Sequence, residues 1–257
     1  MEQASSDANG RNSQQAKFIT IYNQKGGSGK TTVACQLAGT LGLRGFDVLV
    51  CDLDPQESTS QWLSANTNGS FPARLWTGHR FGNNIVSEFE KFSRKYDIIV
   101  VDCKNGVDVP ATWAALQMSD LALIPTKLGP TDLGALHAAK FLAKRVLESS
   151  TRKIPFRTVP VQAKARMADE AAALNGLIND HVAPLFMLPE EVVGKKVVTE
   201  SRPLTLGDRK GFVRPMLIGG TAHSVKNSQE AISEIEALAD FVLHTVDLPM
   251  NYERSNH

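Results

Sequence analysis

From Lys17 onward, short apolar runs alternate with longer stretches in which apolar residues return every third or fourth position, the pattern of strands alternating with helices. The runs at 17–23, 46–52, 97–103 and 120–126 predict four strands, and 156–162 predicts a fifth. Each is almost continuously apolar, as strands covered on both faces of a parallel sheet must be. Between them, 30–44 reads as a helix closed by Gly45, which tolerates the left-handed C-terminal position. Helices also fit 84–95, 109–118, 131–148 and 169–181. A last one, at about 226–246, carries Ile232, Ile235, Leu238, Val242 and Val246 on one face, with Asn227 and Glu230 as a capping pair. From 184 to 223 glycine and proline interrupt every candidate element, and no internal repeat is visible. The rhythm predicts an α/β fold, a mostly parallel twisted sheet with helices on both faces.

The stretch 1–16 is rich in Ser, Asn, Gln and Gly and cannot bury enough apolar surface to order itself, so it is expected to be a tail. Residues 17–247 are expected to form one domain and 248–257 a second flexible tail. With 28 Lys and Arg against 27 Asp and Glu, net charge alone would not attach this chain to nucleic acid; any such contact needs local clustering. Cys35, Cys51 and Cys103 lie in apolar runs without zinc-like spacing and read as buried thiols in a reducing compartment. No apolar run approaches the roughly 18 residues of a membrane span, and the N-terminal stretch lacks a signal core, so a cytoplasmic protein with no membrane partner is expected.

The chemistry is concentrated where strand 17–23 meets helix 30–44, at Lys25-Gly26-Gly27-Ser28-Gly29-Lys30-Thr31-Thr32. A glycine-rich turn between a strand and a helix turns consecutive N–H groups toward phosphate oxygens, and the helix adds its positive end. Lys30 would neutralise β- and γ-phosphates, and Thr31 would offer its hydroxyl to Mg²⁺, so ATP with magnesium is the expected ligand and a P-loop NTPase the expected fold type. Asp52 and Asp54 follow the second strand, at the carboxyl edge where open α/β sheets bind ligands. Asp102 closes the apolar strand 97–103, and a buried carboxylate there needs a cation or hydrogen bonds; magnesium is the simplest partner.

The ordinary phosphate-loop pattern has glycine at position 24, but this chain has Gln24 and a second lysine, Lys25. KGGSGKTT resembles the deviant P-loop of the MinD/ParA superfamily of ATPases, and the likeness runs well over about 17–148 and weakly beyond. In that superfamily the extra lysine reaches the partner's ATP in a nucleotide-sandwich homodimer, which implies a catalytic role for Lys25. The segment DLDPQ resembles the family's first switch, which implies that Asp54 positions the attacking water and that Asp52 supports the metal's water shell. Gly26, Gly27, Ser28, Gly29, Lys30, Thr31 and Thr32 would hold the nucleotide, and Thr31, Asp52 and Asp102 the metal. The second switch departs from the family: Cys103-Lys104-Asn105-Gly106 stands where a small or proline-rich pair usually follows. Lys104 could pair with an acid, touch phosphate or be solvated; the solvated role is preferred.

QESTSQW (56–62) and the strand, loop and helix from Asp120 to Leu133 look like small plasmid-type ParA ATPases. With few residues before the first strand, no helix-turn-helix domain is expected, and with no basic amphipathic stretch among the last residues a membrane helix like that of MinD proteins is not expected either. Two basic clusters stand out. One runs from Lys140 to Arg166 against only Glu148; the other contains Lys195, Lys196, Arg202, Arg209, Lys210 and Arg214. Lys164, Arg166, Arg202 and Arg214 are the candidate contacts to non-specific DNA, where phosphate binding is independent of sequence and sensitive to salt. The resemblance implies an ATPase that dimerises on ATP, binds the nucleoid and is released by a centromere-binding or cargo-bound adaptor. The rival reading is a nucleotide-dependent recruitment or cargo-positioning adaptor with incidental DNA contact.

Overall fold

The protein is represented by a computed structural model that describes residues 15–66, 71–106, 109–164, 183–184 and 204–251. Its strands are β1 (Lys17–Ile21), β2 (Val48–Asp52), β3 (Arg74–Thr77), β4 (Ile98–Asp102), β5 (Leu121–Thr126), β6 (Phe156–Ala163), β7 (Ala183–Pro184) and β8 (Leu206–Gly207). The order across the sheet is β3-β2-β4-β1-β5-β6-β7, with β8 pairing β6 off this path, and every neighbouring pair is parallel. The helices are α1 (Lys30–Leu43), α2 (Ser58–Ser64), α3 (Ile85–Phe92), α4 (Pro110–Met118), α5 (Pro130–Ser149), α6 (Lys210–Ile218) and α7 (Gln229–Thr245).

Strand alternation divides the core in two. Ile19, Ile21, Val48, Val50, Ile98, Val100, Leu121 and Leu123 face the layer of α1, α2, α6 and α7, where Leu37, Trp62, Phe212 and Leu238 pack. Phe18, Leu49, Cys51, Ile99, Val101, Ala122 and Ile124 face α3, α4 and α5, where Phe89, Leu116 and Leu142 pack. Helix α1 has buried side chains around its whole circumference because it is enclosed between the sheet and α7. Strand β1 lies between β4 and β5, so the chain leaves its carboxyl end at the position where ligand crevices form in such sheets.

The five expected strands and five of the six expected helices appear within a few residues of their expected bounds, and Gly45 follows α1 at φ 95°. The helix expected at 169–181 falls outside the described residues. Five of these strands and helices were not anticipated: β3, α2, α6 and the two-residue strands β7 and β8. Strand β3 is only four residues at the sheet edge, and α2 offers only Trp62 and Leu63 as large apolar residues. Helix α6 contains Gly211 and Pro215, the residues that argued against any element there, yet both are buried. The cap of α7 also differs: Ser228 holds the N-cap position without a side-chain cap bond, Asn227 takes a left-handed turn at φ 57°, and Glu230 pairs with Arg209 at 2.6 Å. Residues expected in the two tails take part in the fold. Ala16 is buried and donates its N–H to the Ser93 carbonyl at 2.8 Å, while Leu248 and Met250 pack on the core.

Candidate nucleotide site

Asn23 fastens the loop that follows β1: its Nδ2 donates to the Pro125 carbonyl at 2.8 Å and its Oδ1 accepts the Lys25 N–H at 3.0 Å. Gly27 and Gly29 have φ of 68° and 93°, conformations that suit glycine, and a Cβ on Gly29 would also come within 3.1 Å of Val161. The resulting loop opens on a cavity of about 630 Å³ lined by Gly27 to Thr32, Asp54, Gln56, Trp62, Asn105, Lys127 and Gln162. That volume suits a nucleotide-sized ligand.

Lys30 is buried at 6 % exposure; its ammonium donates to Asn105 Oδ1 and, at 3.5 Å, to the Lys25 carbonyl. Burial pushes its pKa below the usual lysine value, against the opposing pull of Asp102, Cys103 and Asp54. A cation held in a cavity in this state gains most from an anionic ligand. Lys25 is placed differently. Its ammonium pairs with Asp132 of α5 at 2.7 Å, its side chain is about one-third exposed, and it does not line the cavity.

The β2–β4 register sets Asp52 directly opposite Asp102, and both carboxylates point to the α1–α2 face. Asp52 Oδ1 accepts the Asp54 N–H at 3.1 Å, and Oδ2 accepts the Ser60 N–H and hydroxyl at 3.0 and 2.9 Å. Asp102 Oδ2 accepts the hydroxyls of Thr31 at 2.8 Å and Thr59 at 2.7 Å, while Oδ1 is buried with no hydrogen-bond partner among the described residues. Burial raises both carboxyls, that of Asp102 from 3.8 to about 6. The buried Ser28 hydroxyl is likewise without a partner among the described residues. An orphaned carboxylate oxygen beside a threonine hydroxyl, next to a buried lysine and a phosphate-type loop, is a donor set that fits a hard divalent cation and phosphates. Asp54 is half-buried on the cavity wall, with its Oδ1 accepting the Gln56 N–H at 3.0 Å.

Thus the loop residues, Lys30, Thr31 and Asp54 line one opening, Asp102 is buried against the Thr31 hydroxyl with one oxygen unpartnered among the described residues, and Asp52 has both oxygens already engaged by protein. Sequence reasoning missed Thr59 and Ser60, although the hydroxyl run Ser58-Thr59-Ser60 after two aspartates was a signal. It also missed Asn105 as a partner of Lys30 and Gln162, which no local pattern marked. Lys104 is exposed, as preferred. Of the candidate DNA contacts, Lys164 after β6 and Arg214 on α6 are exposed; Arg166 and Arg202 lie outside the described residues. Other basic residues are already paired: Arg152 with Asp120 at 2.6 Å and Arg209 with Glu234 at 2.9 Å.

Residues 16–73 match the profile of a family described as "AAA domain". The chain is 30% identical over 178 residues to "Maintenance of carboxysome distribution protein A" of Gloeobacter kilaueensis, covering 69% of this chain and 77% of that one. It is 26% identical over 230 residues to "Protein ParA" of Rhizobium radiobacter, covering 86% of this chain and 93% of that one. Among solved structures, an ATP complex of a Cyanothece McdA variant superposes with a TM-score of 0.68 at 13% identity, covering 93% of this chain and 100% of that one. At that identity the superposition shows the fold. No described helix is long and apolar enough to cross a membrane.

Proposed function

Because the chain belongs to the ParA/MinD superfamily of P-loop ATPases, we propose that it is an ATP-driven switch: ATP joins two copies, the pair holds DNA regardless of sequence, and an adaptor on a centromere or cargo triggers hydrolysis and release. The observation that carries this reading is the division of labour between two lysines on one loop. Lys30 is buried against the position of the chain's own phosphates, whereas Lys25 stands outside the cavity on the Asp132 rim, suited to the phosphates of a facing copy.

In this mechanism the N–H groups of Gly27 to Thr31 and the Lys30 ammonium bind and orient the phosphates, with Gly26, Ser28 and Thr32 completing the loop. Thr31 and Asp102 would hold Mg²⁺, which would supply positive charge to offset the negative charge of the phosphates. Asp54 orients the attacking water from the cavity wall. Asp52 acts one step back: by binding the Asp54 N–H and the start of α2 it fixes where Asp54 points, and it supports the metal site through that frame. Lys164 and Arg214, with Arg166 and Arg202, are the proposed phosphate contacts on DNA.

The carboxysome-distribution relative favours a version of the switch in which the cargo is a protein assembly rather than a plasmid. Both versions are tested by measuring affinity for random-sequence DNA with ATP, with ADP and without nucleotide across a salt series. Binding only with ATP, with a log–log salt slope that drops by about 0.9 for each phosphate contact removed, supports the switch on DNA. ATP turnover without DNA binding would instead favour the recruitment adaptor.

A further inference from the structure

The segment after β4 is where this chain leaves its family's usual pattern, and it delivers Asn105 to the nucleotide cavity. Lys30 donates to Asn105 Oδ1, and its other acceptor among the described residues is the Lys25 carbonyl at 3.5 Å. The Asn105 Nδ2 lies 3.6 Å from where a Cβ on Gly26 would stand, so the carboxamide sits over the phosphate loop itself. It lines the same cavity as Gly27 to Thr32 and Asp54. Along the chain it is three residues beyond Asp102, and it is followed by the left-handed Gly106 at φ 113°.

A lysine ammonium only donates hydrogen bonds and a phosphate oxygen only accepts them, whereas a carboxamide does both. With no phosphate present, the Asn105 oxygen supplies an acceptor that the buried Lys30 needs. When phosphate oxygens take Lys30 over, the same side chain is left beside the phosphates with its N–H₂ free to turn toward them. A carboxylate at this position would hold Lys30 but repel phosphate, and a proline would do neither. We propose that Asn105 reads occupancy of the terminal phosphate: it holds Lys30 in the empty site and donates to the γ-phosphate in the filled one, so that it sets the preference for ATP over ADP. The γ-phosphate is the one assigned because Asn105 shares the cavity wall with Asp54, the residue proposed to orient the attacking water, and belongs to the segment that leaves Asp102. The proposal rests on the nucleotide reading of the cavity.

The test is the affinity of wild type, Asn105→Ala, Asn105→Asp and Asn105→Gln for a non-hydrolysable ATP analogue and for ADP, both with Mg²⁺. Several protein concentrations should be used, so that any contribution from dimer closure shows as concentration dependence. Asn105→Ala should lose about tenfold in affinity for the ATP analogue, as expected for a hydrogen bond to a charged group, with little change for ADP. Asn105→Asp should lose more, and Asn105→Gln should recover part of the preference. An unchanged ATP-to-ADP ratio in both Asn105→Ala and Asn105→Asp overturns the proposal. So does an equal loss for both nucleotides with a lowered melting temperature, which would mean that Asn105 only props the loop. Failure of the wild type to bind either nucleotide would sink the nucleotide reading itself.

Discussion

Replacing Asp102 with Asn should make the protein more stable when nucleotide and divalent metal are absent, although the change removes a proposed metal ligand. Asp102 is 1 % exposed; its Oδ2 is satisfied by Thr31 and Thr59, while Oδ1 has no partner among the described residues. Burial raises the carboxyl from 3.8 to about 6. In the unfolded chain it loses its proton near the ordinary value, so between those two values the folded chain retains a proton that the unfolded chain has released. The stability contributed by the protonated form is therefore complete below the unfolded pKa and is lost as pH rises through the folded one. A shift of about two units corresponds to ~3 kcal/mol by neutral pH. Asn cannot ionise, yet its oxygen still accepts both hydroxyls. Urea denaturation followed by circular dichroism, in chelator and from about pH 4 to about pH 8, gives the difference between variant and wild type, in which other titrating groups cancel. The variant's advantage should grow through that interval and level off above about pH 6. Saturating Mg²⁺ and ATP analogue should stabilise the wild type and not the variant. A difference that stays flat with pH, or a variant less stable than wild type at neutral pH, would refute the argument.

Lys25→Ala should retain ATP binding by the monomer, since Lys30, Thr31 and the loop amides remain, but should lose ATP-dependent dimers, because facing phosphates without a compensating cation cost several kcal/mol. Sedimentation with a non-hydrolysable analogue decides this, and a normal dimer in the variant would remove the cross-subunit role. Asp54→Ala should bind ATP within a few-fold of wild type while turnover falls by about a hundredfold or more, as for loss of a water-positioning group; turnover at the parental rate would move that role elsewhere. Glu236 is pushed up by half-burial, but hydrogen bonds from His223 and Arg44 outweigh this and hold its pKa below 4.5. Its contribution is therefore present above that value and lost as pH falls through the folded pKa. Glu236→Gln should cost roughly 1 kcal/mol at neutral pH and progressively less in acid, which the same urea series would show.

The site was partly legible in the sequence because its central piece is contiguous. A glycine-rich turn between an apolar strand and a helix specifies its own backbone geometry, so Gly27 to Thr32 could be placed before any fold was known. Asp54 and Asp102 were legible for a similar reason, since each follows or closes an apolar run whose carboxyl end the parallel arrangement directs to one edge. The weak points were elements whose stability is not local. Helix α6 forms despite Gly211 and Pro215 because both are buried against neighbouring elements, and α2 is held at its start by Ser60 on Asp52. The basic clusters show the opposite error: counting neighbours along the chain set only Glu148 against the first one, but the fold brings Asp120 to Arg152, and likewise Glu230 and Glu234 to Arg209.

The sequence by itself determined the α/β rhythm, the phosphate loop with its extra lysine, and the acids that end β2 and β4, because these depend on spacing within a few residues. Only the tertiary structure decided who meets whom at the site. Lys25 with Asp132, Lys30 with Asn105, and Thr59 with Asp102 are 107, 75 and 43 residues apart in the chain. These pairings follow from β1 lying between β4 and β5, with α2 hydrogen-bonded through Thr59 and Ser60 to the last residues of β4 and β2. That order is a property of how the strands assemble to bury both faces of the sheet, and no local pattern encodes it.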